Sequence, residues 1–263
     1  MSGEPVRRGE YQHTRQRRER LVELLDEQQG TGNVQHLAAE LGVSVSTVRR
    51  DLAQLENEHR IARTYGGAID PARLDRSWRV KSTENLSQKR ALARWAAARV
   101  PEGAMVVLDS GTTVAEVAAL LGDRDDVSLA TNGLSSLLAL ADTRAEVLVL
   151  GGRLRRPSES IVGSMTLEAL QRLTSDVLFL GAEAVHPERG VNCPEADQAS
   201  VKELMMRGAR QIWLLIDSSK LDREPGFAHW APVPHGCGLV TDAGADEQRL
   251  RPFREAGWHV EVV

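Results

Sequence analysis

Cysteine is all but missing from this sequence: its two, Cys193 and Cys237, stand far apart and belong to no Cys-x-x-Cys or Cys/His pattern. That argues against a zinc or a disulfide framework, so no metal is expected and a reducing cytoplasm is the expected compartment. Aromatic residues reach only 4%, which argues against the stacked platforms on which single-stranded nucleic acids are read. No apolar run approaches the ~18 residues of a membrane span, so no membrane partner is expected. The polar, Arg-rich start does not read as a secretion signal. Internal repeats and low-complexity tracts are missing too. Positive charge is lacking overall: the formal net charge is −4, which on average is wrong for a partner made of phosphates.

The average conceals a distribution. Arg7, Arg8, Arg15, Arg17, Arg18 and Arg20 crowd the start against only Glu10 and Glu19, and Arg49 and Arg50 follow, whereas Asp123, Asp125 and Asp126 fall in the later part. Local clusters, not whole-chain charge, attract a phosphate backbone, although any one of them alone is ordinarily a solvated face. With 263 residues, 41% hydrophobic and 27% charged, the chain suits one small and one medium globular domain. We divide it into a flexible arm over 1–13, a DNA-binding domain over 14–69, a polar linker over 70–87 and a sensing domain over 88–263.

In the first domain, Leu37 and Leu41 lie four apart on one helix, Gly42 can end it, and Ser44 can cap the next. Val48, Leu52 and Leu55 then fall at i, i+4 and i+7, a buried stripe. The outward face keeps Ser46, Thr47, Arg49 and Arg50. Two helices joined by a tight Gly turn, the second short and basic outside, predict a helix-turn-helix whose second helix enters the major groove. There an arginine can bond a guanine edge bidentately, while hydroxyls reach phosphates. Residues 61–67, ending Gly66-Gly67, predict a two-stranded wing, with Arg60 and Arg63 placed for the flanking backbone.

Beyond residue 88 helices and strands alternate: helices over 88–99, 113–121, 134–141, 198–208 and 248–256, strands over 104–109, 127–131, 147–150, 177–180, 212–217 and 238–241. Runs such as Met105-Val106-Val107-Leu108 lack polar alternation, as expected of strands covered on both faces. A parallel α/β sheet follows, with ligands expected at the carboxyl ends of its strands. There stand Asp109-Ser110-Gly111-Thr112-Thr113, Thr131-Asn132-Gly133, Gly151-Gly152 and Asp217-Ser218-Ser219-Lys220. The first leads into a helix whose free N–H groups favour an anion such as phosphate. Any one of these turns alone can be simply a turn, and Lys202 alone a surface lysine.

Together these segments resemble the DeoR family. Leu37-Ala38, Leu41, Val43-Ser44, Thr47-Val48-Arg49-Arg50-Asp51-Leu52, Leu55-Glu56, Arg63 and Gly66-Gly67-Ala68 are similar to its amino-terminal signature. The strand-end segments above, with Ile161-Val162-Gly163, Phe179-Leu180-Gly181-Ala182 and Val201-Lys202, are similar to its carboxy-terminal domain. The resemblance implies a transcriptional repressor of a carbohydrate operon, relieved by a phosphorylated sugar or related metabolite. Its fold would be a winged helix-turn-helix followed by a Rossmann-like parallel α/β sensor domain similar to ribose-5-phosphate isomerase. Ser44, Ser46, Thr47, Arg49, Arg50 and Arg63 would meet duplex operator DNA. Asp109, Ser110, Gly111, Thr112, Thr113, Thr131, Asn132, Gly152, Gln198, Lys202, Asp217 and Lys220 would meet the effector, in a homodimer or homotetramer without a cofactor.

Two departures stand out. His59 replaces the family's glycine after the recognition helix, and Gln198 replaces a glutamate common among relatives. The isomerase moves a proton with carboxylates from an Asp-Gly-Ala-Asp run and the next helix. Here the run is Leu180-Gly181-Ala182-Glu183 and the helix position is the amide Gln198. An amide is no general base, so binding without turnover is expected. The rival readings are an isomerase or kinase-like enzyme, revealed by turnover of sugar phosphates, and a DNA-binding activator or architectural protein indifferent to metabolites, revealed by the absence of any stabilising ligand.

Overall fold

The structure, a computed structural model, describes residues 14, 16–25, 32–57, 62–64, 67–69, 78–156, 158–221 and 226–263. The chain forms two compact units, Met1–Leu74 and Asp75–Val263. The expected arm over 1–13, and His59, lie outside the described residues.

The first unit holds α1 (16–25), β1 (Gly32–Asn33), α2 (Val34–Glu40), α3 (Val45–Asn57), β2 (Ala62–Thr64) and β3 (Gly67–Ile69). Leucines at 21, 24 and 25 give α1 an i, i+3, i+4 stripe, which packs with Leu37 and with Val48, Leu52 and Leu55 of α3 into one core. The wing has a strand that its pattern did not predict. β3 pairs antiparallel with β2 on one side and with β1 on the other. At two residues, β1 is too short to leave a period in the sequence.

The second unit is built on a seven-stranded sheet. In chain order its elements are α4 (Trp78–Thr83), α5 (Leu86–Ala97), β4 (Met105–Leu108), α6 (Thr112–Leu121), β5 (Ser128–Thr131), α7 (Leu134–Ala139), β6 (Glu146–Val149), β7 (Arg153–Arg155), β8 (Ser160–Val162), α8 (Ser164–Leu170), β9 (Ser175–Leu180), β10 (Val185–His186), β11 (Gly190–Cys193), α9 (Ala196–Gly208), β12 (Ala209–Leu215), a 3-10 turn (Ser218–Lys220), β13 (His229–Ala231), β14 (Gly238–Thr241), α10 (Glu247–Glu255) and β15 (His259–Val262). The sheet runs β15-β14-β12-β9-β4-β5-β6, and its pairings are parallel. Alternate residues of each strand enter two cores. Val107, Ala130, Leu178 and Leu214 face α9 and α10, whereas Val106, Leu129, Phe179 and Val240 face α5 and α6. Burial on both faces explains the unbroken apolar runs.

The chain starts the sheet at its centre, winds outward through β5 and β6, and returns to lay β9 against the other side of β4 before continuing through β12. Strand order therefore reverses between β4 and β9, and a crevice opens there at the carboxyl ends. The stretch expected as a linker over 70–87 is corrected in part: α4 and the start of α5 fall inside it. α4 buries no residue completely, so it shows no apolar stripe by which a helix is recognised.

Candidate functional site

The helix-turn-helix is set by local chemistry. Asn33 caps α2 by accepting from Gln35 N at 2.8 Å, and Gly42 takes the left-handed turn at φ +62. Ser44 Oγ accepts from Thr47 N at 3.1 Å and lies 2.8 Å from both Ser46 Oγ and Thr47 Oγ1. Ser44 thus serves first as the cap of α3, and the three hydroxyls form one polar patch at its start. Arg49 and Arg50 are exposed on the same helix, in the stretch between the buried Val48 and Leu52. Sequence reasoning passed over Asp51. It is 2% exposed and accepts from Arg17 Nε at 2.7 Å and Arg18 Nε at 3.1 Å. Two arginines of the amino-terminal cluster therefore tie α1 to α3. Arg63 takes its place in β2 opposite Ala68, and its side chain lies outside the described residues.

In the second unit a cleft opens at the switch point. It is lined by Ser110–Thr113 after β4, Gly181–Glu183 after β9, Lys220 after β12, Gln198 and Lys202 of α9, Ser158, Asn192, and Trp78 and Lys81 of α4. Gly111, at φ +144, precedes α6 without any side-chain cap, so the first turn directs its N–H groups outward. Thr112 and Thr113 add hydroxyls.

Each carboxylate around the cleft is matched with a lysine. Asp109, 1% exposed, holds Lys202 and also accepts from Gly181 N at 3.2 Å, while Lys202 donates to Gly181 O at 2.8 Å. Lys81 pairs with Glu183 at 2.6 Å. Lys220 donates to Ala182 O at 3.0 Å and stands 3.9 Å from Asp217, whose other oxygen accepts from Asn85 Nδ2 at 3.0 Å. Behind them Lys89 donates to Lys81 O. Burial, and then the neighbouring Lys220, push its ammonium down to about 8. Burial pushes the Cys193 thiol, near Lys202 and Asp109, up to about 11, so it stays protonated and inert.

Gln198 is 6% exposed, and its Nε2 donates to Ser158 Oγ at 3.1 Å and Ser160 Oγ at 3.2 Å. Arg155, paired with Glu195 at 2.8 Å, supports Ser158 from behind. Gln198 Oε1 and Trp78 Nε1 are buried and have no protein partner among the described residues. Leu180, where the isomerase pattern has a carboxylate, is fully buried in the core.

The structure thus brings Ser110, Gly111, Thr112, Thr113, Gln198, Lys202 and Lys220 to one cleft, with Asp109 and Asp217 directly behind. It does not bring Thr131, Asn132 or Gly152 there. Thr131 Oγ1 accepts from Gly133 N at 3.0 Å, and Asn132 Nδ2 donates to Ile161 O at 3.1 Å, fastening β8. Gly152 sits where a Cβ would meet Thr166 Oγ1 at 2.5 Å. β5 pairs with β4 and Gly133 packs against Ser110, yet the side chains of Thr131 and Asn132 are buried against their own turn and β8, so sharing a rim did not mean lining the crevice. Missed in the sequence were Trp78, Lys81, Ser158 and Asn192, which reach the cleft only through tertiary contacts. Among the described residues no cluster of His, Cys, Asp and Glu could hold a metal ion, and no helix is long and apolar enough to cross a membrane.

Comparison with known proteins matches the DeoR C terminal sensor domain over residues 84–243 and the DeoR-like helix-turn-helix domain over 17–72. The chain is 36% identical over 255 residues to the putative aga operon transcriptional repressor of Escherichia coli O157:H7, covering 95% of this chain and 93% of that protein. It is 34% identical over 244 residues to the HTH-type transcriptional regulator GlpR of Haloferax volcanii, covering 92% and 95%. Among solved structures, ribose 5-phosphate isomerase A from Methanocaldococcus jannaschii aligns with a TM-score of 0.39 at 17% identity, over 52% of this chain and 55% of that one.

Proposed function

The chain belongs to the DeoR family of transcriptional regulators, and from that premise we propose that it represses a carbohydrate operon until a phosphorylated sugar enters the cleft between β4 and β9. The observation that carries this reading is the meeting, at one switch point, of an uncapped helix start with Lys81, Lys202 and Lys220. Backbone N–H groups and ammonium groups converging on one point suit a phosphate dianion. Gln198 Oε1, buried without a partner, is an acceptor ready for a sugar hydroxyl, so phosphate and hydroxyl ends are recognised by different groups. Binding proceeds without turnover, because Asp109 and Glu183 are each neutralised by a lysine and Gln198 is an amide. The protein works in the cytoplasm, where operators and phosphorylated sugars are both present.

On the DNA side, Arg49 and Arg50 read the major groove, while Ser46 and Thr47 meet the backbone beside the Ser44 cap. A single head covers one half-site, so two copies are needed for a palindrome with half-sites a helical turn apart. α4 is the first helix of the second unit among the described residues and lends Trp78 and Lys81 to the cleft, so an effector bears directly on it. The effector lowers operator affinity only by its preference between the two arrangements, typically about 1–3 kcal/mol or 5–150-fold.

The test begins with an operator selected by the purified chain from random duplexes. A panel of sugar phosphates should include one that raises the melting temperature and releases that operator. Arg49→Ala with Arg50→Ala should abolish the gel shift at moderate salt while the same ligand still stabilises the protein. Operator affinity surviving both substitutions, or a panel without any stabilising member, overturns the assignment.

A further inference from the structure

α4 is a helix without an apolar hold. Val80 is 49% exposed, none of the six residues is completely buried, and the helix lies against α6, whose uncapped start faces the cleft. What ties it down is polar. Lys81 meets Glu183, and the buried Lys89 of α5 donates to Lys81 O. The turn that follows is fastened by Asn85, whose Nδ2 donates to Asp217 Oδ1 at 3.0 Å and Ser219 Oγ at 3.1 Å. Asn85 sits at φ +49, in the left-handed region, so α4 and α5 meet at a bend. Beyond the bend, Leu92, Ala93 and Ala96 anchor α5 in the core. A segment with few buried apolar contacts opens at low cost, and one held by charges responds to a charge placed beside it.

Within this helix Trp78 is out of balance. Its Nε1 is buried and has no acceptor among the described residues, and a buried donor left unpaired is costly. Trp95 Nε1 lacks an acceptor too, but its ring packs in the core edge-on to Trp213 and does not line the cleft. Trp78 does line it, with Lys81 three positions further on and hence on the same face of the helix. That face therefore offers the cleft an indole N–H and an ammonium, both donors. The start of α6 offers further N–H groups to the same space. One chemistry satisfies all of these donors together, and it is an oxyanion with several free oxygens.

We propose that α4 is a lid over the anion site and that Trp78 is its contact with the ligand, its indole donating to a phosphate oxygen once the cleft is filled. Lys81 then turns from Glu183 to the same phosphate. α4 exchanges one ion pair for two bonds to the anion, so it is held more firmly over an occupied cleft than over an empty one. Closing of the lid and affinity for the anion are one coupling free energy, so loss of the indole N–H weakens both. The lid rests on the phosphate reading of the cleft; Trp78 and the movement of α4 are additions to it.

Amide hydrogen exchange on the full-length chain, with inorganic phosphate compared against sodium chloride of equal ionic strength, tests the lid without any substitution. Phosphate should slow exchange both at the start of α6 and along α4. Protection of α6 alone overturns the lid and leaves the anion site standing, whereas protection of neither overturns the anion site as well. Trp78→Phe keeps an aromatic ring and removes the donor. It should bind phosphate about tenfold more weakly, the scale of one hydrogen bond to a charged acceptor. At saturating phosphate this variant should protect α6 but no longer α4. In nitrogen–proton spectra of the indoles, the signal missing from Trp78→Phe should move downfield when phosphate is added to the wild type, while that of Trp95 stays in place. Unchanged affinity in the folded variant, or a Trp78 signal that phosphate does not move, overturns the role of the indole.

Discussion

Replacing Glu183 by glutamine should make the protein bind its effector more tightly. Glu183 and Lys81 meet at 2.6 Å with side chains only 19% and 14% exposed, so their charge-assisted hydrogen bond is largely withdrawn from water. A bond of this class contributes about 1.5–3 kcal/mol. A phosphate entering the cleft must draw Lys81 away from that bond and lie near a carboxylate of its own sign. The amide keeps the shape and one acceptor oxygen but removes the charge, so Lys81 is surrendered at lower cost. The expected gain is about 1–2 kcal/mol, roughly a 5–30-fold lower Kd. Calorimetric titration of wild type, Glu183→Gln and Glu183→Asp checks this, with the aspartate variant staying near wild type because its charge remains. Weaker or unchanged binding by the glutamine variant would mean that Lys81 takes no part in holding the anion.

Two further outcomes follow from buried charge. Asp51→Ala strips Arg17 and Arg18 of a shared, nearly buried partner; because both arginines keep some water, the head should lose about 2 kcal/mol, less than for a fully buried pair. Calorimetry should show the head melting earlier while the effector still stabilises the second unit, and an unmoved head transition would refute the assigned role. Lys89 loses its proton near pH 8 when folded, against 10.5 ordinarily. Between those values the unfolded chain holds the extra proton, so the burial penalty is complete below pH 8 and fades as pH rises towards 10.5. Lys89→Met should therefore raise Tm at pH 7 by an amount that shrinks through that window, and a pH-independent gain would sink the argument.

The head was legible because its determinants are local. Gly42, the Ser44 cap and the Val48, Leu52, Leu55 stripe sit within a few turns of one another, and the structure places them as their spacing predicts. The Gly111 turn after β4, leading into α6, was legible for the same reason. The hidden third strand of the wing and the α4 helix lacked any internal pattern: one is two residues long and the other buries nothing completely.

The sequence by itself determined two domains, a parallel sheet, a basic second helix in the helix-turn-helix and the polar turns at the strand ends, because periodicity and capping act over distances the chain spans locally. Only tertiary structure decided which strand ends share a crevice. Lys202 reaches Asp109 across 93 positions, and Lys81 reaches Glu183 across 102. The order in which strands join the sheet carried Ser110–Thr113 to Gly181–Glu183, and left Thr131, Asn132 and Gly152 outside the lining of the cleft. Strand order is settled by how helices cover both faces of the sheet, a property of the packed whole that no local stretch of residues encodes.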